Sequence, residues 1–264
     1  MMHILLSRWR QGHRTLSYPK EIPSLPERFR GLPRILADKC PAGCRACVEA
    51  CPTEAIRLGD NGPQVDLGRC LFCPDCSEAC PEGAIDYTQD HRLAACSREA
   101  LTVTPGEDYR RAQAMGAELQ RILGRSLKLR VVSAGGCNGC EVDVNVLGTL
   151  SWDLGRFGIQ YVASPRHADG LLITGPVTRN MELALRKTYD AVPHPKIVIA
   201  VGACAIQGGP FFRQEEQLGG ASSVLPVDLY IPGCPPHPLT ILDGLLRLIG
   251  RVKDDDTTRA PSRA

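Results

Sequence analysis

Aromatic side chains are scarce, at 5% of the chain, and neither sign of charge prevails, the formal net charge being +2. A base-stacking surface needs the first and a phosphate-tracking surface needs an excess of the second, so no nucleic-acid partner is expected. No apolar run approaches the twenty or so residues of a membrane span. The early run Ile4-Leu5-Leu6 gives way to Arg8 and Arg10 with no small-residue cleavage site after it, which argues against an export signal. The 202–209 stretch is rich in glycine but lacks both Gly-x-Gly-x-x-Gly and a phosphate-binding lysine, so a nucleotide site is not expected.

What the chain has in excess is cysteine, thirteen residues in 264. Most stand two or three residues apart, too close for a conventional disulfide framework, so metal binding is the better reading. Cys40, Cys44, Cys47 and Cys51 are answered by Cys70, Cys73, Cys76 and Cys80, and each set closes with a proline, Pro52 and Pro81. The repeat interval is 29 residues from Cys44 onward, and even Ala55-Ile56 returns as Ala84-Ile85, while Cys40 stands one residue out of register. Four such thiolates can wrap one [4Fe–4S] cubane, and Cys-Pro ends the wrapping turn, so the pattern predicts two clusters and one-electron transfer as their use. In two-cluster ferredoxins the fourth cysteine of each run ligates the other cluster. On that pattern Cys40, Cys44, Cys47 and Cys80 hold one, and Cys70, Cys73, Cys76 and Cys51 hold the other. Residues 34–96 are therefore expected to form a small α+β ferredoxin domain of two related halves, preceded by an extension over 1–33.

The rhythm then changes. Residues 97–126 read as a linker, with a helix over 109–123 that sets Ala112, Met115, Leu119 and Ile122 on one face and stops at Gly124. From 127 to 250, short apolar runs at 127–132, 159–163, 171–174 and 197–201 alternate with helical segments near 143–154, 180–191 and 239–249. That alternation predicts an α/β unit, a flavodoxin-like parallel sheet with helices on both faces. The tail 251–264, with three successive aspartates, is expected to be disordered. Cys137, Cys140, Cys204 and Cys234 each follow a predicted strand in a glycine-rich loop, and open α/β sheets gather ligands beyond their carboxyl ends. These four suffice for a third cubane. Buried structural thiols or a tetrathiolate zinc site, in a chain that only assembles other subunits, are the competing readings. Cys96 has no partner set and reads as a small packed residue. His3, His13, His91, His194 and His237 show no ligand spacing and are expected near the surface.

These stretches resemble two subunits of the respiratory complex I and membrane-bound [NiFe] hydrogenase superfamily, joined in one chain. Thr15-Leu16-Ser17-Tyr18-Pro19 and Pro26-Glu27-Arg28-Phe29-Arg30-Gly31 look like the opening of the two-cluster ferredoxin subunit. Gly136-Cys137-Asn138-Gly139-Cys140-Glu141, Ser164-Pro165-Arg166-His167-Ala168-Asp169, Thr174-Gly175-Pro176-Val177-Thr178, Gly202-Ala203-Cys204 and Pro232-Gly233-Cys234-Pro235-Pro236 look like the hydrogenase small-subunit core, the part that holds the terminal cluster in complex I. Complex I proteins typically place the first two cysteines of that cluster side by side, whereas Asn138 and Gly139 separate them here, the form found in formate hydrogenlyase-like hydrogenases. The resemblance implies three [4Fe–4S] clusters and an iron–sulfur subunit of an oxidoreductase with no complete active site of its own. It also implies partners: a [NiFe] large subunit akin to the 49 kDa subunit of complex I, an electron-donor subunit or ferredoxin, and membrane-embedded subunits, with this chain peripheral on the cytoplasmic side of the cell membrane. A complex I-like arm reducing quinone is the alternative. Glu141 matches a position near the partner's active site, which implies a proton-transfer carboxylate, against a plain hydrogen-bonded loop acid. Arg166, His167 and Asp169 either tune the cluster edge or hold geometry.

Overall fold

The computed structural model describes residues 2–12, 14–41 and 43–253, so the 254–264 tail and His13 lie outside the described residues. A leading helix, α1 (Met2–Gln11), ends at Gly12, whose φ of +61° turns the chain away. Two small antiparallel ladders then frame the doubled cysteine region. One pairs β1 (Pro33–Ile35) with β4 (Ile85–Tyr87), and the other runs β2 (Ile56–Gly59), β3 (Gly62–Asp66), β5 (Thr102–Val103). Two single-turn helices, α2 (Ala46–Glu49) and α3 (Asp75–Glu78), each bury one cysteine, Cys47 and Cys76.

The expected linker helix over 109–123 is only partly present. Helix α4 spans Ala117–Leu123, and the preceding residues form neither helix nor strand. Their hydrogen bonds go sideways: Tyr109 Oη donates to Leu93 O at 2.6 Å, Ala112 N–H to Ala94 O at 2.6 Å, and Met115 N–H to Leu248 O at 2.9 Å. Tertiary partners therefore override the helical periodicity, as weak propensity allows.

The second unit is a five-stranded sheet of β6 (Leu127–Ser133), β7 (Ile159–Tyr161), β8 (Gly170–Thr174), β9 (Ile197–Val201) and β10 (Leu229–Ile231), parallel throughout in the order β7-β6-β8-β9-β10. This is the flavodoxin-like order, with its topological switch point between β6 and β8. Every residue of β8 and β9 is buried, as a strand covered on both faces requires. Leu171, Ile173, Val198 and Ala200 pack on one face against Leu185 of α6 (Arg179–Ala191) and Ile206 of α7 (Ala203–Gln207), in a core continuous with Ile56, Val65 and Leu101 of the first unit. Leu172, Ile197, Ile199 and Val201 pack on the other face, against α5 (Gly139–Val146) and α8 (Pro238–Leu248). Helix α5 starts four residues before the 143–154 segment expected and ends at Val146, where Leu147 and Gly148 turn the chain.

Helix α8 is buried along its whole length yet carries Asp243 and Arg247. Arg247 Nε donates to Asp243 Oδ2 at 2.8 Å, and Tyr18 Oη donates to Oδ1 at 2.7 Å. His91 Nε2 lies 3.4 Å from the same Tyr18 oxygen. His91 is thus 1% exposed, not at the surface as its lack of ligand spacing suggested, because Arg92, paired with Asp90, and Tyr18 close over it. Burial pushes its pKa from the ordinary 6.5 down to about 4, against the pull of Asp243 and Asp90. The unfolded chain then binds a proton that the native chain refuses, so stability falls as pH drops below about 6.5 and levels off near 4. From pH 7 to pH 5 the loss should be about 2 kcal/mol, read by anaerobic urea unfolding, and His91→Gln should flatten that slope.

Candidate cluster-binding sites

The two halves of the first unit are matched down to individual hydrogen bonds. Ala55 N–H donates to Cys51 Sγ and Ala84 N–H donates to Cys80 Sγ, each at 3.2 Å. The thiols sort by electrostatic neighbourhood rather than by sequence. Burial first, then Cys76 and Cys51, push the Cys70 thiol up to about 12, though the Phe72 amide and Tyr87 hydroxyl oppose them. Cys73 and Cys76 are raised by burial and likewise feel Cys51. In the other set, burial followed by Cys40, Cys76 and Cys80 pushes Cys47 up to about 11, and Cys40 is raised by burial, Cys44 and Cys80. Cys51 thus acts on the three thiols that follow it in the later run and Cys80 on Cys40 and Cys47, while Cys76 also reaches Cys47.

The third group forms where the sheet topology directs it. Cys137 and Cys140 follow β6, Cys204 opens α7 after β9, and Cys234 follows β10. A Cβ on Gly202, whose φ is +92°, would come within 2.5 Å of Cys140 Sγ, so that sulfur lies directly over the turn leading to Cys204. Burial, then Cys234, Cys137 and Glu141, push Cys204 up to about 12; Cys140 is raised by burial and then Cys204, Glu141, Cys234 and Cys137. Cys140 and Cys204 are buried, while Cys137 and Cys234 are exposed. In all three sets burial and mutual repulsion oppose thiolate formation, and a cationic inorganic core removes that opposition. Among the described residues, no three His, Cys, Asp or Glu side chains converge on a point for a single ion.

Glu141 sits in the first turn of α5 and is 8% exposed. Its Oε1 accepts from Ser133 Oγ at 2.5 Å and Thr174 Oγ1 at 2.7 Å, the last residues of β6 and β8, so it bridges the switch point. Burial pushes its pKa up, but the two hydroxyls and a backbone amide outweigh this and hold it below the usual carboxylate range. Asp169 is not brought to the cysteines. It lies at the amino end of β8, opposite the cluster edge, where its Oδ2 accepts from Lys128 N–H at 2.7 Å, and Arg166 and His167 are exposed beside it. Cys96, expected to be packed, is exposed, its Sγ donating to Gln113 O at 3.6 Å; the irregular 109–116 segment touches it there and does not cover it. His237 caps α8 through Nδ1, half-buried between the Phe29 and Trp152 rings. Sequence reasoning missed Ser133, which carries no motif, the hydroxyl contact of Thr174, which stood in a quoted stretch without a role, and Tyr87, whose signal was a break in the repeat.

The two units meet at these sites. Arg98 grips Asp66 with both terminal nitrogens, at 2.7 and 2.6 Å, and donates from Nε to Gln207 of α7 at 3.2 Å. A cavity of about 320 Å³ is lined by Leu71 and Phe72 from between Cys70 and Cys73, and by Cys234, Pro235 and His237. The loop between Cys70 and Cys73 thus borders the same space as Cys234.

Residues 137–248 match the family described as NADH ubiquinone oxidoreductase, 20 Kd subunit, and residues 39–84 match a 4Fe-4S dicluster domain. A probable membrane-bound hydrogenase subunit of Pyrococcus furiosus is 40% identical over 144 residues, 54% of this chain and 86% of that relative. The chain belongs to the NADH ubiquinone oxidoreductase 20 Kd subunit family. Within the family it is also similar to formate hydrogenlyase subunit 7 of Escherichia coli, 42% identical over 56% of this chain and 58% of that one. An NADH-quinone oxidoreductase subunit of Bacteroides thetaiotaomicron is 44% identical over 43% of this chain and 58% of its own length. This 20 Kd-type chain is accordingly an iron–sulfur electron-transfer subunit of the hydrogenase and complex I-like oxidoreductases, carrying its own dicluster unit.

Proposed function

We propose that the chain holds three [4Fe–4S] clusters and relays electrons from a donor subunit or ferredoxin to the [NiFe] centre of a partner large subunit. Cys40, Cys44, Cys47 and Cys80 hold the first, Cys51, Cys70, Cys73 and Cys76 the second, and Cys137, Cys140, Cys204 and Cys234 the third. The observation that carries this reading is the crossed pair of thiol sets, with the Leu71-Phe72 loop of one bordering the cavity that Cys234 of the third set lines. When bound, the clusters supply reversible one-electron exchange. The chain's own part is to bury the sulfurs, to donate to them from the amides of Ala55, Phe72 and Ala84, and to hold the units together through Arg98. Exposed Cys137 and Cys234 are the edge offered to the large subunit. Glu141 is assigned to anchoring, since both hydroxyls that reach it tie it to the strand ends.

In this reading units 34–96 and 127–250 are the two working domains, and the chain sits at the cytoplasmic face of a membrane-bound hydrogenase of formate hydrogenlyase type, against membrane-embedded subunits. Among the described residues no helix is long and apolar enough to cross the membrane itself. A complex I-like arm reducing quinone is the second reading, favoured by the similarity to the Bacteroides quinone oxidoreductase chain; the Asn138-Gly139 spacer favours the first. The tagged chain, purified anaerobically with its partners, should bring down a nickel-containing large subunit and show three cluster signals in electron paramagnetic resonance. Quinone-analogue inhibition of a nickel-free assembly would decide for the second reading.

A further inference from the structure

Tyr87 is where the internal repeat breaks. Its counterpart 29 residues earlier is Leu58, which is 40% exposed and has no polar atom to offer, although the flanking Ala55-Ile56 and Ala84-Ile85 are identical. The Tyr87 hydroxyl lies 3.4 Å from Cys76 Sγ and 3.8 Å from Cys70 Sγ. It therefore serves the set completed by Cys51, though it follows Cys80 in the chain. Its ring packs against Phe72, centroids 6.3 Å apart, and Phe72 donates its amide to Cys70 Sγ at 3.3 Å and lines the cavity shared with Cys234.

A donor aimed at cluster sulfur favours the more negative, reduced state and so raises the reduction potential. We propose that the Tyr87 hydroxyl is a positioning residue that raises the potential of the Cys51/Cys70/Cys73/Cys76 cluster above that of its twin, biasing electrons toward the side whose Phe72 loop borders the Cys234 cavity. The proposal rests on the three-cluster reading. One electron leaves the first cluster, which is oxidised, and enters the second, which is reduced. No covalent bond changes, and the proton stays on the Tyr87 oxygen.

The test is a redox titration of the full-length holoprotein followed by electron paramagnetic resonance. Tyr87→Phe keeps the ring and removes only the oxygen. It should move the equilibrium between the twin clusters about tenfold toward the first, which is 59 mV for one electron. The shifted signal should be the one absent from Cys51→Ser, and the iron content should not change. If the potential stays put, or the other signal moves, the proposal falls. Should Tyr87→Phe fail to assemble, site-specific fluorotyrosine at 87, a stronger donor of nearly the same shape, must raise the same potential, and no rise overturns the proposal. Wild-type protein holding far fewer than about twelve irons would instead sink the three-cluster reading.

Discussion

Replacing Cys51 with serine should remove the cluster wrapped by Cys70, Cys73 and Cys76, and spare the one held by Cys40, Cys44, Cys47 and Cys80. Iron should drop from about twelve to about eight atoms per chain, since one four-iron cluster is lost whole. Cys80→Ser should give the same iron loss but extinguish the other twin's resonance signal. The reason is spatial. The Cys51 thiol raises the pKa values of Cys70, Cys73 and Cys76, while Cys80 acts on Cys40 and Cys47. Each exchanged cysteine also ties one half of the unit to the other, so both variants should be more readily cleaved by protease between residues 52 and 69. If Cys51→Ser instead extinguished the signal lost in Cys44→Ser, and kept the one lost in Cys73→Ser, the crossed assignment would be wrong.

Much of this arrangement was legible because inorganic chemistry constrains spacing. The thiol pattern at 40–51 and 70–80 can be read without knowing the fold, and β8 and β9 are apolar runs bounded by glycine and proline. The third thiol group needed only the rule that parallel strands deliver their loops to one edge. What was illegible depends on contacts between distant residues. The 109–116 stretch has helical periodicity, but its hydrogen bonds are taken by Leu93, Ala94 and Leu248, which no local pattern announces. Cys96 lay open for the same reason, since an irregular segment passes it where a helix was expected. His91 lacked ligand spacing because its role is burial beside Tyr18, a residue more than seventy positions away. One clue was available: Asp243 and Arg247 stand four apart on the wholly apolar helix α8, where two charges make sense only as a pair.

That pair sets the largest stability effect expected in the molecule. Asp243 is 0% exposed and Arg247 is 2% exposed. Asp243→Ala takes the carboxylate from Arg247 Nε and the acceptor from Tyr18 Oη, breaking a fully buried charged pair. Removing one member of such a pair costs about 3–5 kcal/mol. Exchanging both for apolar side chains of similar volume, Asp243→Leu with Arg247→Met, should cost far less, because no buried charge then remains uncompensated. Urea unfolding of the anaerobic holoprotein, followed by circular dichroism and cluster absorbance together, separates the two. The single variant should also loosen the 14–31 segment, which Tyr18 pins to α8, and raise hydrogen exchange there. If the double variant proved as unstable as Asp243→Ala, the loss would come from shape in the α8 core and not from the buried charge.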